Sequence, residues 1–283
     1  MKKILSLLLV SSFAYGASQK EWVPKYQKKS LNTQKTEKGL SSKSDLKSVS
    51  TVSLNSEDFP ENKLEALYMK EPKSKGFLKI LKQESLKLKQ DAVPTLIKVM
   101  KSSKYPAENR WIATYMLGRI MGVKSAPFIA EFSKHPNWML RLASLKVLLH
   151  LNQSQYKGIY ARLLEDKSLI VRHQALQNIK EMKIKTLAPY VWKMLYNKAN
   201  YVGGKGLRKR SNIIKEAIKV VGELEFKEAR KPMLKMISRS KFKDVHSELD
   251  YALNLVSDKD SPKGSIEVKK LYWRKEMVKG LTI

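Results

Sequence analysis

A regular spacing of arginines constrains the fold of this chain more than any other feature of its sequence. Arg110, Arg141 and Arg172 lie 31 residues apart, and a small residue follows three positions after each of them. These small residues are Ala113, Ser144 and Ala175. Each lies within an apolar pattern of helical period. A repeat of this length predicts helical units that cannot bury their apolar faces alone and therefore stack on their neighbours.

Prolines mark a second recurrent position, upstream of these helices. Pro94, Pro127 and Pro189 each introduce a separate amphipathic segment. A proline in the first turn of a helix removes no backbone hydrogen bond, because the amide at that position has no partner within the helix. The sequence therefore predicts a unit made of helix A, a short turn, helix B and a second short turn.

The combined pattern resembles the HEAT-repeat family, in particular the short bacterial repeats also called PBS-lyase HEAT-like. The pattern of that family is roughly A-x-P-x-L, followed by D-x-x-x-x-V-R-x-x-A-x-x-A-L-G. The best matching copies here are residues 164–179, with Asp166, Val171, Arg172 and Ala175, and residues 110–118, with Ala113, Leu117 and Gly118. The resemblance implies an all-α fold in which about five helix pairs stack into an α-solenoid. It also implies that the B helices line a concave surface, where such proteins usually hold another macromolecule.

The resemblance covers residues 91–256, which we divide into five units. The units span residues 91–123, 124–152, 153–183, 184–224 and 225–256. Their apolar helical positions predict one continuous core. Its candidate residues are Leu96, Ile97, Met116, Leu117, Ile129, Leu145, Leu148, Leu163, Leu176, Ile179, Val191, Leu195, Ile218 and Val221.

Two departures from the family pattern stand out. In the family, an aspartate before the arginine commonly pairs with repeat arginines, but here it is present only as Asp166. Lys104 and His135 occupy the equivalent positions in the two preceding units. The fourth unit also contains an insertion, because Ala217 lies 42 residues after Ala175.

The three regularly spaced arginines, Arg110, Arg141 and Arg172, are here called the arginine ladder. A repeated position implies a repeated structural task, so we expect the ladder to pack and hydrogen-bond between neighbouring units. The alternative is a row of guanidinium groups that faces an anionic ligand.

The first 16 residues have the three-part pattern of a secretory signal peptide. Two lysines precede an apolar stretch, and Ala14-Tyr15-Gly16 places small residues before a cleavage site at Ala17. The stretch is much shorter than the roughly 20 residues that span a bilayer. We therefore predict cleavage, no membrane span in the mature chain, and export to the periplasm, with secretion from the cell as the alternative.

The segments that flank the units differ from them in composition. Residues 17–56 are rich in Ser, Thr, Lys, Gln and Asn, which predicts a disordered basic linker. Residues 57–90 are predicted to form two N-terminal capping helices, the first capped by Asp58 with Pro60 in its early turn. Residues 257–283 are predicted to form a C-terminal capping helix and tail. The apolar residues expected to face inward are Leu64, Leu67 and Tyr68 in the first helix, Phe77, Ile80, Leu81 and Leu88 in the second, and Leu271, Tyr272, Met277 and Val278 in the last.

The charge of the chain indicates anionic partners. With 56 Lys and Arg against 26 Asp and Glu, the formal net charge is +30, and such a chain attracts polyanions. Most of this charge is spread along the units. The fourth unit has the largest share, because it contains nine basic residues and two acidic ones.

The inserted segment, residues 197–211, is the best candidate for an anion-binding or partner-binding element. It contains three glycines, five basic residues and no acid. The basic residues are Lys198, Lys205, Arg208, Lys209 and Arg210. A glycine-rich loop beside basic residues can bind phosphate through its backbone amides; the alternative is a solvated basic loop. The segment resembles no complete Walker A loop, because its spacing differs, no strand is expected before it, and Lys205 is followed by Gly206.

The sequence contains no motif that predicts enzyme chemistry. The absence of cysteine excludes disulfides, thiolate metal sites and a cysteine nucleophile, and the four histidines lack the spacing of metal ligands. HEAT-like alkylpurine DNA glycosylases combine a basic concave face with tryptophans and a catalytic aspartate, but no such aspartate can be matched here. Trp111, Trp138 and Trp192 are predicted to be mainly core residues; the alternative is that they stack single-stranded nucleic acid beside basic residues.

The sequence therefore predicts a non-enzymatic, exported HEAT-like scaffold that uses no cofactor or metal and binds a protein partner on its surface. The first alternative is a basic module that binds an anionic polymer, such as nucleic acid, lipopolysaccharide or another acidic envelope component. The second and least favoured alternative is an enzyme of the DNA glycosylase type. Salt dependence separates the first two hypotheses, since binding to nucleic acid weakens steeply as the salt concentration rises.

Overall fold

The computed structural model of the protein describes residues 61–202 and 209–279. All the described residues belong to one compact unit of the chain. The predicted signal peptide and basic linker, residues 1–56, lie outside the described residues.

The described chain is almost entirely helical, which confirms the predicted all-α class. Its α-helices are α1 (Lys63–Met69), α2 (Lys75–Leu88), α3 (Val93–Lys101), α4 (Ala107–Met121), α5 (Ala126–Glu131), α6 (Trp138–His150), α7 (Lys157–Leu163), α8 (Leu169–Glu181), α9 (Ala188–Lys193), α10 (Asn212–Glu223), α11 (Arg230–Ile237), α12 (His246–Ser257) and α13 (Ile266–Lys279). Short 3₁₀ turns connect many of them. One antiparallel pair of two-residue strands, β1 (Tyr201–Val202) and β2 (Lys209–Arg210), joins Tyr201 to Arg210 and Val202 to Lys209.

From α3 to α12 a shorter helix alternates with a longer one. Each of the five segments predicted as repeat units contains one such pair, and the two helices of each pair contact each other. The longer helices α4, α6, α8, α10 and α12 also contact the next longer helix along the chain. Helices of this chain are thus packed against their sequence neighbours.

The predicted helix starts and core positions agree with the structure. Pro94, Pro127 and Pro189 lie in the first turn of α3, α5 and α9. Every predicted core residue is buried except Ile97, which is half-buried and packs against the core. The repeated apolar positions of the units therefore predicted the interior correctly.

The predicted N-terminal helices are wrong in detail. The first helix begins at Lys63, and Asn62 caps it by accepting a hydrogen bond from the backbone amide of Glu65; Asp58 and Pro60 lie outside the described residues. In α2, Ile80 and Leu88 are exposed rather than buried. Leu81 is buried as expected, and Ser85 is buried beside it on this face, with its hydroxyl 2.9 Å from the Tyr68 hydroxyl.

The predicted C-terminal helix exists, and Tyr272 and Met277 pack against the core as expected, but the rest of its buried face differs. Leu271 and Val278 are 55% and 60% exposed, whereas Trp273 is completely buried. The indole nitrogen of Trp273 donates to a carboxylate oxygen of Asp250 in α12 at 2.8 Å. The tryptophan, which the apolar pattern did not single out, is thus the residue of α13 that is buried most deeply and bonded to α12. None of the described helices is long and apolar enough to cross a membrane.

Gly222 allows the backbones of two longer helices, α10 and α12, to approach each other closely. A Cβ atom built on Gly222 of α10 would lie 2.6 Å from the Cα atom of Ala252 in α12. We predict that Gly222→Ala destabilises the protein by about 1–2 kcal/mol, because a backbone atom cannot yield as a flexible side chain does and overpacking outweighs the gain in helix propensity. The free energy of unfolding in urea measures this change.

Gly158 in α7 provides the matched control for this prediction. No atom lies within 4 Å of a Cβ built at that position. Gly158→Ala is expected to leave the free energy of unfolding unchanged or to raise it by up to about 1 kcal/mol. Equal effects of the two substitutions would contradict the close approach of α10 and α12.

Candidate functional site

Arg110 forms the first step of the arginine ladder. Its guanidinium is 5% exposed, and its Nε and Nη2 atoms donate to the carbonyl oxygen of Met100 at 3.2 and 2.9 Å. Its Nη2 atom also lies 3.1 Å from Nε2 of His135. Met100 belongs to the first unit and His135 to the second, so this arginine connects the two.

Arg141 repeats this geometry one unit later. Its Nε and Nη2 atoms donate to the two carboxylate oxygens of Asp166, each at 2.7 Å. Its Nη1 atom donates to the carbonyl oxygens of His135 and Pro136 at 2.8 Å. Both charged side chains are largely buried, with 12% and 6% exposed. A bidentate pair of this kind is among the stronger charge-assisted contacts in proteins.

Arg172 is the third step and makes four such bonds. Its Nη1 atom donates to the carbonyl oxygens of Asp166 and Lys167. Its Nε atom donates to Oδ1 of Asn200 at 2.7 Å, and its Nη2 atom donates to the carbonyl oxygen of Ala199 at 2.9 Å. Asn200 lies in the inserted segment, so the insertion supplies the acceptor that an aspartate supplies to Arg141.

In the fourth unit, Arg210 has the role that Arg172 has in the third. Its Nη1 atom donates to Asp244 Oδ1 at 2.8 Å and to the carbonyl oxygen of Lys241, both in the turn before α12. Its guanidinium lies 4.5 Å from the ring centroid of Phe242, and only 17% of its side chain is exposed. At the ladder position itself, α10 has the buried residue Ile214. The insertion therefore contributes a guanidinium that connects the fourth and fifth units.

The four arginines share one arrangement, which we call a joint. In each joint, a guanidinium from one unit donates to the turn between the helices of the next unit. The side-chain partners in that turn are His135, Asp166, Asn200 and Asp244. Because these guanidinium groups are already bonded to protein acceptors, their direct contribution is to the packing of neighbouring helix pairs.

His135 gives the first joint a dependence on pH. Its Nδ1 atom lies 3.0 Å from the backbone amide of Asn137, while its Nε2 atom faces Arg110, so both ring nitrogens face donors. Burial lowers the pKa of His135 below its ordinary value, and the charge of Arg110 lowers it further. The neutral imidazole is the form that fits this joint.

We predict that the protein loses stability as the pH falls from 7.5 to 5. A histidine whose pKa is lowered by folding stabilises the protein above its ordinary pKa of about 6.5, and this contribution is lost at more acidic pH. His135→Gln keeps an acceptor for Arg110 without titrating, so its free energy of unfolding should fall less over the same range. His246, whose pKa burial also lowers, accounts for part of the remaining loss. An unchanged pH profile in the variant would contradict this role of His135.

Of the five basic residues in the inserted segment, the structure describes Lys198, Lys209 and Arg210. Lys198 is exposed in a 3₁₀ turn, and Lys209 lies in β2. Lys205 and Arg208 lie outside the described residues. Arg210 belongs to a joint, as stated above. The strand β1 before the glycines corrects the expectation that no strand precedes them, although it has two residues only.

Two buried carboxylates, Glu65 and Asp250, hold the end helices. Burial alone would raise the pKa of Glu65, but hydrogen bonds from Tyr105 and Lys98 outweigh this effect and hold it below its ordinary value. Asp250 accepts bonds from Trp273 and Lys269. Within residues 61–202 and 209–279, no group of acidic or histidine side chains has the arrangement of a metal site.

No protein-family model matches the chain, and no curated protein matches it.

A group of aromatic and basic side chains lies on α2, α4 and α6, and we call it the α4–α6 patch. The rings of Trp111 and Tyr115 stack in α4 with centroids 6.4 Å apart and planes 10° apart. The His150 ring of α6 lies 6.4 Å from Tyr115, and Nζ of Lys82 lies 5.9 Å from the same ring centroid. Lys146 is half-buried and lies one turn before His150 on the same face of α6, so we include it in the patch.

Sequence reasoning missed several residues that carry these arrangements. Asn200 and Arg210 both act in joints. The insertion shifts them away from the 31-residue spacing, so the spacing does not reveal their role. Lys146 was not singled out, although it lies 31 residues after Tyr115 and so occupies the same place in the next unit. Comparing all positions of the units, and not only the arginines, could have found it.

Proposed function

We propose that this protein is an exported, non-enzymatic scaffold, a HEAT-like α-solenoid of five helix pairs that holds a partner protein on the face of its longer helices. The observation that carries this proposal is the series of joints. One donor-to-turn arrangement connects each unit to the next through Arg110, Arg141, Arg172 and Arg210. Stacking of like units through like contacts produces an extended surface, which suits binding of a macromolecule.

The basic alternative, binding of an anionic polymer, is supported by the formal net charge of +30. The pairing of Arg210 reduces the number of basic residues in the insertion that could bind such a polymer. Arg210 is engaged with Asp244, so an anion site in the insertion would depend on Lys198, Lys205, Arg208 and Lys209. The predicted export also separates the chain from the chromosome, which disfavours a DNA glycosylase.

Capture of a partner from an envelope extract by the mature protein tests the proposal. Captures at low and at high salt are compared, and the scaffold proposal expects a protein in stoichiometric amount that persists at physiological ionic strength. A polymer-binding protein would instead bind nucleic acid or lipopolysaccharide with an affinity that falls steeply as salt rises. Recovery of no stoichiometric protein, together with salt-sensitive polyanion binding, would replace the proposal with the alternative.

Two variants locate any polyanion binding. Serine at Lys198, Lys205, Arg208 and Lys209 removes the insertion's other basic residues and keeps the Arg210 joint. Arg210→Ser alone is the control, because it removes a joint and should lower stability more than polyanion affinity. If both variants bind polyanions as the unchanged protein does, the insertion is a solvated loop.

A further inference from the structure

Lys146 differs from the other lysines on the longer helices in having no counter-charge. In the described part of the chain, no hydrogen-bond or ion-pair partner accompanies its ammonium group. Burial lowers the pKa of Lys146 below its ordinary value. A half-buried cation without a partner costs free energy that an incoming carboxylate can offset.

The lysines of the following helices show the contrast. Nζ of Lys180 lies 2.8 Å from a carboxylate oxygen of Glu216, and Nζ of Lys219 lies 2.6 Å from the other. Lys219 occupies the same place relative to Ala217 in α10 that Lys146 occupies relative to Ser144 in α6. The protein thus supplies its own carboxylate at this position in the fourth unit and supplies none in the second.

We propose that the α4–α6 patch binds an acidic polypeptide segment, in which a carboxylate pairs with Lys146 and neighbouring apolar side chains cover Trp111 and Tyr115. This inference rests on the proposed function, and it names the binding surface and the chemistry of the partner. Charge complementarity supports an acidic occupant, and the partly exposed aromatic pair beside the cation supports an amphipathic one.

The geometry of the patch favours a polypeptide over a nucleic acid. Bases bind single-strand proteins by stacking on open aromatic faces along a track of several cations. Here Tyr115 is already stacked on Trp111 and contacted by His150 and Lys82. The surroundings of this ring are therefore already partly occupied, and a carboxylate next to apolar groups fits the patch better than a row of phosphates.

Lys146→Met and Lys219→Met form the matched pair that tests the proposal. Methionine keeps the length and apolar character of the lysine side chain and removes its charge. The probes are a fluorescent random copolymer of glutamate and tyrosine and a single-stranded oligothymidylate, measured by anisotropy at physiological salt. Loss of one charge-assisted contact should weaken copolymer binding by about tenfold or more in Lys146→Met and by less than about twofold in Lys219→Met.

Other outcomes separate this inference from the proposed function. If the unchanged protein captures a stoichiometric partner and Lys146→Met captures it equally well, with equal copolymer affinity, the patch assignment fails and the scaffold proposal stands. If the unchanged protein neither captures a partner nor binds the copolymer, both fail. Lys146-dependent binding of the oligothymidylate but not of the copolymer would assign the patch to nucleic acid. Thermal unfolding serves as the folding control, since Lys146→Met removes a desolvated charge and should leave the melting temperature equal or higher.

Discussion

Replacing Asp166 by alanine is expected to destabilise the protein by about 3–5 kcal/mol, because the substitution leaves the largely buried guanidinium of Arg141 without its carboxylate. The backbone amide of Ser168 also loses its acceptor, Asp166 Oδ1, at 2.8 Å. Urea unfolding at pH 7 measures the effect. The substitution should weaken the packing between the second and third units. We therefore expect a lower free energy of unfolding, with helix content at low urea unchanged.

Two further variants make this prediction specific. Asp91→Ala changes an exposed aspartate and should alter the free energy of unfolding by no more than about 0.5 kcal/mol. The double variant Arg141→Met with Asp166→Leu should be less unstable than Asp166→Ala, because it leaves no unpaired buried charge. A double variant that is as unstable as the sum of its two single substitutions would contradict the assignment of this joint.

The second large effect is expected at the C-terminal end. Trp273→Ala should cost about 3–5 kcal/mol, because it removes a completely buried indole and its hydrogen bond to Asp250. Asp250 would retain only Lys269, at 2.7 Å, as its partner from α13. The helix should then detach from α11 and α12, and limited proteolysis should cleave between residues 258 and 265 faster than in the unchanged protein.

Leu271→Ala is the control for the tryptophan prediction. Leu271 lies on the same helix and is 55% exposed, so its truncation should change the free energy of unfolding by less than about 0.5 kcal/mol. The comparison also distinguishes the observed buried face of α13 from the one expected on hydrophobic pattern alone. A larger effect at Leu271 than at Trp273 would restore the original expectation.

Repetition decided which parts of the fold could be predicted from sequence. In the units, the arginine, the small residue and the proline recur, so each copy supports the interpretation of the others, and the helix starts at Pro94 and Pro127 agree with the structure. The end helices have no second copy. Their orientation depends on single tertiary contacts, such as Trp273 with Asp250, which leave no periodic trace in the sequence.

The candidate site was less predictable, for a related reason. A run of basic residues predicts positive charge but not which of the charges find acceptors. Arg210 looked like part of a free basic loop, yet Asp244, 34 residues later, pairs with it. Nothing in the sequence around Lys146 indicates that it is half-buried, or that no carboxylate pairs with it in the described part of the chain. Pairing over such distances depends on how helices far apart in sequence pack together.

The four joints share one direction of hydrogen-bond donation. In every joint the earlier unit donates and the later unit accepts. At the boundary with α1 the roles are reversed, because Lys98 and Tyr105 of the first unit donate to Glu65 of the capping helix. The first unit moreover has Lys104 where later units have His135 and Asp166. An arginine joint at this boundary would bring a guanidinium against the Lys104 ammonium, so α1 is held through its own carboxylate and the direction of donation reverses there.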